Sequence, residues 1–228
     1  MQCLAPSHGG SDLRRDGKVL PLWRFVDYTT IIMIYFRNLE MFKTLRVTVG
    51  SYQWKSGIVY DVAGNVSHPS YDNINVKHDI GILITTTNVA LNDLVQLVPI
   101  TYDYIGAGVQ VVFAGWGVTS DDGTESHELM EMRTSTIDGA DCMIRVARAT
   151  LVLQMPYYVP PLDPHVEVCT LQPTGLGICG GDSGSALRRA SDGHQFGIAS
   201  WLFHCALGAP DMYVRISSYQ NWLRSVIV

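Results

Sequence analysis

Residues 179–185 read Cys-Gly-Gly-Asp-Ser-Gly-Ser, with glycines at 180, 181 and 184 around one Asp-Ser step. Such a run folds as a sharp turn, because glycine accepts backbone angles and close approaches that a Cβ forbids. A hydroxyl held on that turn can attack a carbonyl well when N–H donors face the oxyanion that forms. The turn is expected to aim the N–H groups of Gly181 and Ser183 at one point and to leave the Ser183 hydroxyl exposed. By itself the string is a moderate signal, since small-residue turns also arise by chance. Its flanking motifs decide what it means.

The chain around it has the composition of a folded domain. With 47% hydrophobic and 16% charged residues over 228 positions, it is long enough for a sizeable core and too apolar for disorder. The formal charge of −5 comes without a basic cluster, so nucleic-acid binding has no support. No apolar run reaches the roughly 18 residues of a membrane span, and Thr30–Phe36 reads as a strand. Residues 45–49 alternate apolar and polar before Gly50, as a half-buried strand does. Further strands are expected at Gly57–Val62, Ile80–Thr85, Val109–Ala114, Met130–Ile137 and Gln195–Trp201. A short helix is expected over Asp138–Val146 with Asp138 as its cap. A closing helix carries Tyr219, Trp222, Leu223, Val226 and Ile227 at helical spacing, with Ser217 or Ser218 as its cap. Thr101–Gly108 reads as a connection between two halves. No cofactor and no metal ligand are expected.

Five further motifs occur in order. They are His78-Asp79-Ile80-Gly81-Ile82-Leu83, Gly115-Trp116-Gly117, Ser200-Trp201, Pro210-Asp211-Met212-Tyr213-Val214-Arg215-Ile216 and Tyr219-Gln220-Asn221-Trp222-Leu223. Together with the glycine-walled serine they resemble the chymotrypsin/trypsin family of serine endopeptidases, from about Leu45 to Val228. The resemblance implies an all-β fold of two six-stranded-type antiparallel barrels with a C-terminal helix. It implies Ser183 as nucleophile, Asp79 as the carboxylate that orients an imidazole, and Gly181 and Ser183 as oxyanion donors. Ser200 and Trp201 would pair with substrate backbone. Gly177, Leu202 and Asp211 would shape the specificity pocket. Cys142 would pair with Cys169 and Cys179 with Cys205, leaving Cys3 over. Each bridge would close a loop worth about 3–4 kcal/mol in the chain-entropy account. The implied partners are protein or peptide substrates and protein inhibitors, with no nucleic acid and no membrane, for a monomeric secreted protein. No secretion signal is visible in residues 1–18.

The departures from the family pattern are concentrated at one end. Counting back from Asp79 by the family's spacing reaches Tyr35–Glu40, which reads Tyr-Phe-Arg-Asn-Leu-Glu instead of a Thr-Ala-Ala-His-Cys-like motif. No histidine lies between His8 and His68. An Ile-Val-Gly-Gly-like start is also missing, so residues 1–44 form a non-matching segment. Residues 45–228 read as the protease domain, with a first-barrel remnant at 45–104 and the second barrel and helix at 105–228. The first barrel is expected to be incomplete, with residues 24–36 filling part of the gap as a strand. His78 adjoins Asp79, but neighbouring side chains on extended backbone point to opposite faces, so it is not expected to replace the missing base. His68 reads as a loop histidine and His204 as a residue of the pocket rim. Asp182, which in the family pairs with a freed α-amino group, is expected to turn toward solvent because an unpaired buried carboxylate is costly.

Six residues before Ser183, Gly177 stands where trypsin-like members place an aspartate. Asp211 replaces a common glycine in the opposite wall, and Leu202 narrows the entrance. The pocket is therefore expected to be restricted, with an off-centre acid. Three readings stay open. One is an endopeptidase whose N-terminal block has been replaced, inactive in this form. Another is a non-catalytic homologue acting by binding, and the last is an unrelated β-barrel with chance motifs. Asn65-Val66-Ser67 is a glycosylation sequon, used only if the chain meets the secretory pathway.

Overall fold

The structure is a computed structural model and describes residues 45–227 except 55 and 120–122, together with the strand backbones of 24–26 and 29–34. Two β units carry the chain. The first is an open five-stranded sheet built from β1 (Arg24–Val26), β2 (Thr29–Ile34), β3 (Arg46–Val49), β4 (Ile58–Ser67) and β5 (Gly81–Thr85), in the order β1-β2-β5-β4-β3. The second is a closed barrel of β6 (Gln110–Gly115), β7 (Met130–Ile137), β8 (Glu167–Leu171), β9 (Ala186–Arg189), β10 (Gln195–Leu202) and β11 (Pro210–Arg215). Its strands run in the order β10-β11-β8-β7-β6-β9, and β9 closes the ring by pairing with both β10 and β6. The chain is thus all-β with one complete barrel and one partial sheet, as the sequence motifs implied.

Alternation explains how β5 serves both units. Ile82 faces a cluster with Ile80, Ile198, Val214, Ile216, Tyr219 and Leu223, at the seam between sheet, barrel and C-terminal helix. Leu83 faces the other way, into the first sheet's interior with Val47, Val49, Val89 and Val95. The barrel's own core is built on Phe113, Leu187, Phe196 and Tyr213, all nearly inaccessible, with Phe113 and Tyr213 meeting edge to face at 6.0 Å. Both disulfides form as the resemblance implied, Cys142–Cys169 and Cys179–Cys205. Cys3 lies outside the described residues.

Two expectations about helices need correction. Helix α1 spans Gly139–Val152 and not only to Val146, although Asp138 does cap it, accepting from Ala140 and Asp141 N–H. It exposes Ile144, Leu151 and Val152, so no amphipathic stripe marked its true end. Neither Ser217 nor Ser218 caps the last helix. Residues Ile216–Tyr219 form a 3₁₀ turn that leads into α2 (Gln220–Val226), and Ser218 Oγ donates to the His165 carbonyl instead. Tyr219 and Leu223 still bury against the seam as the spacing implied.

Phe113→Ala should lower unfolding stability by about 3–5 kcal/mol, because a large core ring leaves a cavity. Asp138→Ala should lower it by about 1 kcal/mol through loss of the cap. Urea unfolding of the two variants beside the parent chain measures both.

Candidate active site

The serine turn lies between Cys179, tied to Cys205, and β9. Gly181 and Gly184 take φ of 92° and 89°, values that require glycine. Ser183 is exposed at the tip. Within the turn, Asp182 N–H donates to Cys179, Gly184 N–H to Ala199 and Ser185 N–H to Asp182. Among the described residues, the N–H groups of Gly181 and Ser183 have no protein acceptor. Both N–H groups are therefore left to a bound acceptor.

Asp182 overturns the expectation that it would face solvent. It is fully buried, and its oxygens accept from Gly117 N–H at 2.8 Å and Cys179 N–H at 2.9 Å. A Cβ on Gly115 or Gly117 would collide with this carboxylate, so the Gly-Trp-Gly motif is the niche that admits it. Two backbone donors replace part of the lost hydration, and burial raises the carboxyl pKa to about 6. The two donors and the option of carrying a proton offset the cost of burial that would otherwise turn Asp182 outward.

Asp79 is 1% exposed, and Ser200 Oγ donates to its Oδ2 at 2.6 Å across 121 positions of sequence. Ser200 is positioned by a bulge. The β10–β11 register runs Ala199↔Tyr213 and then Trp201↔Met212, leaving Ser200 as the extra residue. Beyond Ile198, β10 leaves the β9 ladder, and Trp201 and Leu202 pair only with β11. Among the described residues, no strand pairs with that flank of β10.

His78 does not share this site. Its Nδ1 lies 3.1 Å from the Tyr219 hydroxyl. His68 lies in the loop after β4, as expected, and its ring stacks on His78 at 5.1 Å and meets Tyr219 and Trp222 edge-on. Burial and the neighbouring His78 both lower the His68 pKa. His204 is exposed, with Tyr157 at 6.0 Å. His8 lies outside the described residues.

Gly177 and Asp211 are in contact. A Cβ on Gly177 would stand 3.3 Å from Asp211 Oδ2, and Ile178 N–H donates to that oxygen at 3.2 Å. Asp211 is 4% exposed, and burial pushes its pKa up to about 8, with nearby Asp182 adding in the same direction. Leu202, its partner in the β10–β11 register, is half-buried. Beside Gly181, a cleft of about 280 Å³ is lined by Thr48, Ser51, Trp54, Trp116, Glu125 and Gly181. Sequence reasoning had no signal for this cleft, because its walls come from segments far apart in the chain.

These raised carboxyl pKa values set the pH response. An acid with a folded pKa above its unfolded value contributes stability that is complete below the unfolded value and lost as pH rises through the folded one. For Asp211 that window runs from an ordinary 3.8 to about 8. The depressed His68 pKa acts in the opposite direction, and only on acidification through the histidine range. Between roughly pH 6.5 and 8 the chain should therefore lose stability with rising pH, by about 1.4 kcal/mol per unit at most for one proton. Asp211→Asn should flatten that slope and raise Tm at pH 8. Thermal unfolding across the window tests this, and an unchanged slope in the variant would remove Asp211 as its source.

Comparison with known proteins agrees with this geometry. The Trypsin family model matches residues 40–223. Chymotrypsin-2 of Vespa crabro is 28% identical over 75% of this chain and 71% of its own length. Trypsin eta of Drosophila melanogaster is 26% identical over 74% of this chain and 60% of its own. Trypsin, alkaline A, of Manduca sexta is 31% identical over 79% of this chain and 68% of its own. With a glycine-walled serine turn, a buried Asp79–Ser200 contact and a match over most of its length, the chain belongs to the chymotrypsin/trypsin family of serine proteases.

Proposed function

We propose that this chain binds extended peptides across the open flank of β10 and presents Ser183 to them, but turns them over poorly as written. Ser183 is the nucleophile, Asp79 the orienting carboxylate, and Gly181 and Ser183 the oxyanion donors. The protease domain is residues 45–228. The observation that supports deficiency is the placement of the histidines nearest Asp79 in sequence. His78 is engaged by Tyr219, His68 is stacked on His78, and residues 9–67 contain no histidine. A hydroxyl with no imidazole to take its proton is a weak nucleophile. The two disulfides favour an extracellular setting, since such bonds do not persist in a reducing compartment. A binding-only role is the second reading, and the same histidine placement supports it.

Loss of one triad member lowers turnover by about 10⁴–10⁶. The purified 228-residue chain, assayed on a mixed peptide library, should therefore fall below ordinary protease rates by that order. Ordinary turnover that Ser183→Ala abolishes would show that a base is present after all.

The pocket reading is tested by grafting a family N-terminal block carrying the histidine onto residues 45–228. Cleavage should then favour small or medium apolar residues before the scissile bond, with some tolerance of Lys or Arg reaching Asp211. Asp211→Gly should remove that tolerance, and Leu202→Gly should admit aromatic side chains. A profile dominated by Arg and Lys and unmoved by Asp211→Gly would overturn the pocket assignment.

A further inference from the structure

Glu167 on β8 is 4% exposed, and three donors make four contacts with its carboxylate. Lys77 Nζ lies 3.1 Å from Oε1 and 3.0 Å from Oε2. Asp163 N–H donates to Oε2 at 2.7 Å, and the indole N–H of Trp201 donates to Oε1. Lys77 Nζ also stands 5.6 Å from the centre of the Trp201 ring, where the aromatic face attracts a cation. One carboxylate thus joins a loop of the first unit to the substrate-facing strand of the second. A well-packed apolar pair would fill this space with less desolvation. Apolar side chains could not fix the rotation of the indole or hold the lysine.

The lysine sits in a strained place. Residues 72–77 form a tight loop in which Asp72 and Lys77 exchange backbone hydrogen bonds, and the Asp72 carboxylate accepts from the N–H groups of Ile74 and Asn75. The hydroxyl of Tyr158 donates to Asn75 Oδ1 at 2.7 Å. On either side of Lys77, Val76 and His78 take φ of 50° and 52°. A β-branched residue in the left-handed region persists only when its surroundings hold it there. The next residue in the chain is Asp79.

We propose that Glu167 and Lys77 are a positioning pair that holds the Trp201 strand and the Asp79 turn in one arrangement across the two β units. Glu167 orients the indole that flanks the open edge of β10. Lys77 pins the left-handed turn that delivers Asp79 to Ser200. The functional side of this proposal rests on the peptide-binding reading above. The structural side does not.

Two readouts on the full 228-residue chain separate them. The first is the indole N–H resonance of Trp201, assigned with Trp201→Phe. The second is affinity for a six-residue peptide with alanine at the pocket position, compared with N-acetylalanine amide, which fills the pocket alone. Glu167→Leu should move the indole resonance toward the free-indole position. Glu167→Gln keeps an acceptor and should move it least. Glu167→Leu and Lys77→Met should weaken the long peptide about ten- to hundredfold, with the short ligand unchanged and Glu167→Gln close to the parent. An indole resonance that stays in place in Glu167→Leu, or equal weakening of long and short ligands, would overturn the proposal. If Glu167→Leu loses its near-UV dichroism through misfolding, the Lys77→Met and Glu167→Gln chains decide by the same two criteria. If the parent chain binds neither ligand, the peptide-binding reading fails while the indole shift still decides whether the pair positions Trp201.

Discussion

Burying a carboxylate away from bulk water is unfavourable, and this chain does so at Asp79, Glu167, Asp182 and Asp211. Each acid is accommodated differently. Asp79 accepts a serine hydroxyl, Glu167 an ammonium and an indole, and Asp182 two peptide N–H groups. Asp211 has one peptide N–H and a pKa near 8, so it holds a proton through most of the neutral range. The groups that satisfy these acids come from several elements of the fold. The acids therefore tie the serine turn, the Gly-Trp-Gly niche, the bulged strand and the Gly177-Ile178 segment to one another. The site is arranged around them as much as around Ser183.

Much of this was legible in the sequence, and the limits follow from physical causes. Strands with one wet face announced themselves by alternation, as in residues 45–49 and Met130–Ile137. Strand β8 did not. Glu167, Val168, Cys169 and Thr170 are all buried and carry no period of two, and a charged residue heads the run. The two disulfides were legible through the family resemblance, and the serine turn because glycine positions are tied to specific geometry. The fate of Asp182 was not, because the sequence shows the acid but not the two N–H groups folded around it. The contact between Lys77 and Glu167 spans 90 positions, and neither residue looks unusual in its own neighbourhood. The ring contacts of His68 were hidden for the same reason: its partner Trp222 belongs to the far end of the chain.

The contrast between the two β units bears on how the site is held. The barrel is closed, whereas the described first sheet is open and contributes to the site through β5 and the turn preceding Asp79. At the seam, Ile80 and Ile82 pack with Ile198, Val214 and Ile216, so apolar contact sets the spacing between the units. The polar contacts from Asp79 and Lys77 then fix direction. Dispersion and hydrophobic contact tolerate small sliding, but hydrogen bonds of defined angle do not.

Barrel closure has one more consequence. The strand that closes the ring, β9, begins three residues after Ser183 and pairs on both sides, with Phe113↔Leu187 on one and Ile198↔Ala186 on the other. A slip of one residue would turn Leu187 out of the core, so the next permitted register is two residues away. Such a step would carry the serine turn about 7 Å along the barrel wall. The reach of the serine turn is therefore quantised: Ser183 stands at the height set by the packing of Leu187 or a full step away from it. The apolar core, and not the turn's own residues, acts as the gauge for that height.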